Sequence, residues 1–213
     1  MRIYSVTPIH VSDAELARRQ ARYDALCPQG LSVELHEIGS AAPRALETEQ
    51  DVRASEALVA EALADAASRG YDALMPDCVL DPAVADLAGT LEVPVLGLLR
   101  LSVGWSVITG RTASAVARNR AIADEIEARV AAYGWTSAFT GVDVLDVDVH
   151  AIADATRWAE AMEGAVERLA AGGASLVVNG CSAVDLPAGV GRDAVVVDPT
   201  ALALRLLAAG GLT

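Results

Sequence analysis

Two cysteines stand where a thiol can meet a ligand. One ends the stretch Asp72-Ala-Leu-Met-Pro-Asp-Cys78 and is followed by Val-Leu-Asp-Pro82; the other ends Ala174-Ser-Leu-Val-Val-Asn-Gly-Cys181 and is followed by Ser182. Each comes after a four- or five-residue apolar run that closes in small or polar residues, the pattern of a buried parallel strand. Each thiol is therefore expected just past a strand's carboxyl end, where open α/β sheets keep their ligand sites. A thiol suits proton transfer there, because its unperturbed pKa of about 8.5 lies close to working pH and nearby amides stabilise its anion. If the two thiols line opposite walls of one cleft, one thiolate can take a proton from a carbon beside a carbonyl while the other thiol returns one to the opposite face. The backbone amides of Val79, Leu80, Ser182 and Ala183, read as opening the next helices, would hold the developing enolate oxygen or a carboxylate.

Other chemistries find little support. The three cysteines have no CxxC spacing, and His10, His36 and His150 form no metal motif, so neither a metal nor a cofactor is expected. Cys27 reads as a passive thiol where a helix meets a loop. A net charge of −13 argues against nucleic acid and anionic membrane as partners. No run of 18 apolar residues occurs, and MRIYSVTPIH is unlike a signal peptide. The expectation is a cytoplasmic protein that acts on a small molecule.

The elements that must position the thiols repeat. Thr7 follows the strand Ile3 to Val6, and Thr109 is read as closing a strand from Ser106 to Ile108. Cys78 lies 71 residues after Thr7, and Cys181 lies 72 after Thr109. Each interval reads helix, strand, helix, strand. The sequence thus predicts an α/β fold of two pseudo-symmetric lobes with largely parallel sheets, residues 1–99 and 100–197, with 198–213 returning to the first and the active site in the cleft between them.

In the first lobe, helices are predicted from Ala14 to Leu26, capped by Ser12 or Asp13, from Asp51 to Ser68, and from Asp81-Pro82 onward. Strands are predicted at Leu31 to Ile38, Ala73 to Met75 and Val93 to Leu98. In the second, Ala113 to Tyr133 reads as one long helix, Trp135 to Thr140 as a strand and Gly141 to His150 as a solvated edge or loop. A helix from Ala151 to Ala171, the thiol's strand, a turn from Ser182 to Pro187, a strand from Ala194 to Val197 and a helix opened by Asp198-Pro199 complete it, ahead of Gly210-Gly211. Arg111, just after Thr109, is a candidate partner for a substrate carboxylate.

The stretch Asp72 to Cys78, the run Cys78-Val-Leu-Asp81-Pro82, the strand Val93-Pro-Val-Leu-Gly97 and the segment Leu176 to Ser182 carry a resemblance. Through them nearly the whole chain resembles the aspartate/glutamate racemase superfamily, and within it the hydantoin racemase branch. That resemblance implies a racemase-like fold and cofactor-independent racemisation of a small cyclic ureide such as a 5-substituted hydantoin, with Cys78 and Cys181 as acid and base. It further implies substrate contacts at Thr7, Pro8 and Thr109, and a homo-oligomer. An aspartate/glutamate racemase, a maleate-type cis-trans isomerase and an intracellular binding protein without catalysis remain the alternatives. The acidic residues Asp77, Asp81 and Asp185 disfavour a dianionic substrate.

The chain also departs from the branch. Leu99 to Trp105 reads as a short connection where the branch has a longer helix, and Thr7-Pro8-Ile9 replaces Asn-Pro-Asn. Asp77 and Asn179 are unusual neighbours for the thiols; an Asp77 carboxylate turned toward Cys78 would raise the thiol's pKa.

Overall fold

A computed structural model describes residues 1–186 and 194–210. Pro187 and Gly211, expected to end a turn and to follow the last helix, lie outside the described residues. The chain divides into two compact units, Met1–Leu98 joined by the chain from Thr200, and Leu99–Pro199. Each is built on a parallel sheet.

The first unit has strands β1 (Arg2–Val6), β2 (Ser32–His36) and β3 (Ala73–Pro76) in the order β2-β1-β3. Helix α1 (Asp13–Leu26) starts where Ser12 accepts the Glu15 amide, and α2 (Glu49–Ala66) starts in a capping box between Thr48 and Asp51. Along α2 the residues Val52, Val59, Leu63 and Ala66 share one helical face and are all buried. Val59, Leu63 and Ala66 meet Tyr4, Val6 and Leu74, so the sheet is covered there, and β1 and β3 are buried almost throughout while the edge strand β2 alternates.

Two expectations for this unit fail. The strand expected over Val93 to Leu98 contracts to one bridge, Leu74 with Val95, because Leu98 already belongs to the next helix. Asp81-Pro82 does not open a helix: Asp81 and Ala83 take left-handed backbone at φ 50° and 61°, and the short α3 (Val84–Leu87) begins beyond them with no side-chain cap. That region is uncommon for residues with a Cβ.

The second unit carries β4 (Ala113–Ala117), β5 (Phe139–Val144), β6 (Leu176–Asn179) and β7 (Val195–Val197), ordered β5-β4-β6-β7 and parallel throughout. Its helices are α4 (Leu98–Ile108), α5 (Arg120–Ala132) and α6 (Ala155–Ala171), before α7 (Pro199–Ala209). Here the sequence reading is wrong in register. Leu98, Leu99, Ser102, Val103 and Ser106 are buried at helical spacing, so the supposed short connection and the supposed strand Ser106 to Ile108 are one helix. The resemblance's missing helix is therefore present.

The supposed helix Ala113 to Tyr133 is in turn a strand followed by a helix. Alanines favour a helix in isolation, but all five residues of β4 are buried between two neighbouring strands, where small side chains let layers approach on both faces. Asn119 then caps α5 by accepting the Ile122 amide at 3.0 Å. The strand expected at Trp135 to Thr140 shifts onward to β5, an edge strand taking in part of the acidic stretch. No helix among the described residues is long and apolar enough to cross a membrane.

Candidate active site

Sheet register gives the two thiols the same station. In the first unit Pro76 pairs with Val6, and Cys78 follows Pro76 by two residues. In the second, Asn179 pairs with Val116, and Cys181 follows Asn179 by two. Each thiol thus leaves the carboxyl end of the strand beside its unit's central strand. The equivalence drawn from Thr7 and Thr109 fails, because Thr109 belongs to the end of α4 and precedes β4. By register, Thr7 corresponds to Ala117 and Pro8 to Arg118.

The expected contacts separate accordingly. Thr7 and Pro8 lie at the carboxyl end of the first sheet with Cys78. Thr7 is fully buried; its hydroxyl donates to the Ile9 carbonyl at 2.9 Å and accepts the Ile38 amide at 3.3 Å, which joins two loops. The Pro8 carbonyl accepts the Ser55 hydroxyl at 2.6 Å. Thr109 is exposed, its hydroxyl donating to the Trp105 carbonyl at 2.8 Å as a helix-end group. Arg111 is exposed as well and sits before β4, at the amino end of the sheet. Both are corrected as candidate contacts, since they are at the end of the second sheet away from Cys181.

Cys78 is buried, as are Val79 and Leu80. The Asp81 amide donates to the Cys78 carbonyl at 3.2 Å and the Val84 amide to the Asp81 carbonyl at 3.1 Å, so a pair of tight turns follows this thiol instead of the expected helix start. Asp81 is fully buried, and its carboxylate fills the space a side chain on Gly97 would need. Asp77, directly before the thiol, is bonded to α1: its carboxylate accepts Arg19 Nη1 at 3.1 Å and the Tyr23 hydroxyl at 2.8 Å. Burial first, and then the Asp77 charge, push the Tyr23 phenol well above its ordinary pKa, so it stays a proton donor.

Cys181 is half-buried and rests on the core around Trp158 and Met162. Asn179, fully buried, accepts the Trp158 indole N–H at 3.0 Å and donates to the Cys181 carbonyl at 2.9 Å. Gly180 is required between them: a Cβ there would overlap the Val116 carbonyl. Ser182 and Ala183 form a turn and not a helix start.

Other residues at these strand ends escaped the sequence reading. Arg118 is 3 % exposed at the carboxyl end of β4, with Nη1 3.4 Å from the Val147 carbonyl. His10 and Glu37, beyond β1 and β2, share a 2.8 Å hydrogen bond, and Glu37 also accepts the Val11 and Gly39 amides. Arg118 was hidden inside the supposed long helix; its signal was Asn119, a helix cap directly after it. The 27-residue interval between the dyad's members left no local signal.

The model of the Asp/Glu/hydantoin racemase family matches residues 14–207, so the chain belongs to that family, whose members include racemases. Solved structures agree in fold. An allantoin racemase from Klebsiella pneumoniae superposes with a TM-score of 0.81 at 21% identity, covering 99% of this chain and 89% of that one. Another from Pseudomonas fluorescens gives 0.80 at 18% identity, covering 100% and 93%. A glutamate racemase from Campylobacter jejuni gives 0.63 at 15% identity, covering 99% and 86%. A search of the curated proteins finds no match. The family and these neighbours define the class: the protein is an enzyme of the racemase and isomerase type.

Proposed function

We propose that the protein racemises a small cyclic ureide, a 5-substituted hydantoin such as allantoin, through Cys78 and Cys181 and without a cofactor. The observation that carries this reading is the matched register of the two thiols, each two residues past the pairing that ends its strand. One cysteine thiolate takes the proton from the ring carbon beside the carbonyl, and the electron pair moves into the carbonyl as an enolate. The other cysteine thiol gives its proton to the opposite face, leaving a thiol where the thiolate was and a thiolate where the thiol was. Amides of the turns at Val79, Leu80, Ser182 and Ala183 serve the enolate oxygen, and Thr7 and Pro8 frame the first thiol's side.

The ureide assignment draws support from the higher TM-scores to the two allantoin racemases, 0.81 and 0.80 against 0.63 for the glutamate racemase. A carboxylate substrate, as in an aspartate or glutamate racemase, is the second reading; the buried Arg118 beside β6 favours it. A homo-oligomer in the cytoplasm completes the proposal.

Incubating the protein with enantiopure hydantoins, allantoin, aspartate and glutamate in deuterium oxide tests it. Deuterium should enter the stereogenic carbon of a hydantoin as racemisation proceeds. Cys78→Ser and Cys181→Ser should each lower racemisation by about a thousandfold while each keeps exchange for one enantiomer, opposite between the two. Full racemisation in either variant refutes the mechanism, and turnover of amino acids alone refutes the ureide.

A further inference from the structure

We propose that Arg19, Tyr23 and Asp77 are positioning residues for Cys78, locating the first thiol from helix α1 and serving only its half of the reaction. This rests on the two-thiol reading above. Asp77 is the chain neighbour of the thiol and is 2 % exposed. Its amide donates to the Val6 carbonyl at 2.9 Å, while its carboxylate takes the Arg19 guanidinium and the Tyr23 hydroxyl. Three hydrogen bonds from two elements therefore fix the residue at the point where the chain leaves β3. Glu15 holds Arg19 from the other side at 2.8 Å, so the guanidinium is itself oriented.

Stability alone is a weak reason for this cluster. Buried ion pairs are often replaceable by apolar side chains at no loss, because desolvation offsets most of their attraction. What such a cluster supplies is a defined geometry, and the geometry here ends one bond short of the reacting residue. A thiol displaced by about an ångström from its proton donor or acceptor position loses a large share of its rate. At the matching position of the second unit the residue before Cys181 is Gly180, which has no side chain to clamp, and a neutral amide, Asn179, donates to the Cys181 carbonyl. Loss of the α1 clamp should thus be felt by one thiol.

The test places Tyr23→Phe, which removes one hydroxyl and keeps the charges, in each serine background. With Cys181→Ser, the exchange that remains depends on Cys78 and should fall about tenfold. With Cys78→Ser, exchange through Cys181 should change less than about twofold. Asp77→Asn should act in the same direction and more strongly. In the otherwise unaltered protein, Tyr23→Phe should also change the rate of iodoacetamide alkylation at Cys78, resolved by mass, and leave that at Cys181 as it was. Equal losses in both backgrounds, or none in either, would overturn the proposal. If neither serine variant exchanges at all, the two-thiol reading is what has failed; the alkylation rates then decide alone, and an unchanged rate at Cys78 overturns the positioning role.

Discussion

Cys78 and Cys181 share a station in their sheets but not a surrounding. The first is preceded by a carboxylate held in a buried ionic cluster by α1, and two left-handed residues lie within five positions after it. The second follows a glycine pressed against the central strand and is held through a neutral amide and an indole. Register comes from the backbone ladder, which two parallel sheets build in the same way whatever their side chains. The side-chain environment is free to diverge, so two chemically alike groups can be held by charge in one unit and by neutral hydrogen bonds in the other.

Removing the thiols should break the comparison most completely. Each serine substitution is expected to lower racemisation by about a thousandfold, the range of lost acid or base catalysis, as measured by polarimetry on an enantiopure hydantoin. A smaller loss at one site would mean that the matched register does not carry matched roles. Gly180→Ala comes next. Its Cβ would overlap the Val116 carbonyl, so β4 and β6 must part, and a destabilisation of about 3 kcal/mol is expected in urea unfolding. The corresponding position in the first unit, Asp77, already carries a side chain, so the steric demand belongs to the second thiol alone.

Asn179→Ala tests the neutral support. It leaves the buried Trp158 indole N–H without its acceptor, at a cost of about 1–3 kcal/mol. Trp158→Phe made together with Asn179→Ala should cost less than the sum of the single changes, a coupling that a double-mutant cycle reads directly.

Glu15→Gln is the mildest test and concerns the charged support. Burial raises the Glu15 pKa, but the hydrogen bonds and charges of Arg18 and Arg19 outweigh it and hold the carboxyl below its ordinary value. A group with a depressed folded pKa stabilises above its unfolded pKa and loses that contribution as pH falls through the folded one. The variant should therefore be less stable than the parent at neutral pH, by under about 1 kcal/mol, and the gap should close in acid. A gap that widened in acid would contradict the assigned direction.

Much of the site was legible in the amino-acid sequence. Apolar runs ending in Asp77-Cys78 and Gly180-Cys181 identify strands that release a thiol at their carboxyl ends, because a buried parallel strand must be apolar on both faces and can turn polar only on leaving the sheet. Ser12 marked its helix start by a local hydrogen bond, which neighbouring residues suffice to determine, whereas the Thr48 cap of α2 went unread and that helix starts two residues before the expected Asp51. What failed was every assignment needing knowledge of the partner. Ala113–Ala117 is a strand because β5 and β6 bond to both its edges, and Leu98–Ile108 is a helix because one face of it is buried; neither fact resides in the segment's own propensities. That one error of register moved Thr109 and Arg111 to the wrong end of a sheet and concealed Arg118. The direction of the Asp77 carboxylate was likewise a tertiary decision: Arg19 and Tyr23, 58 and 54 residues away, draw it toward α1, since a buried charge settles where its counter-charge and donors are.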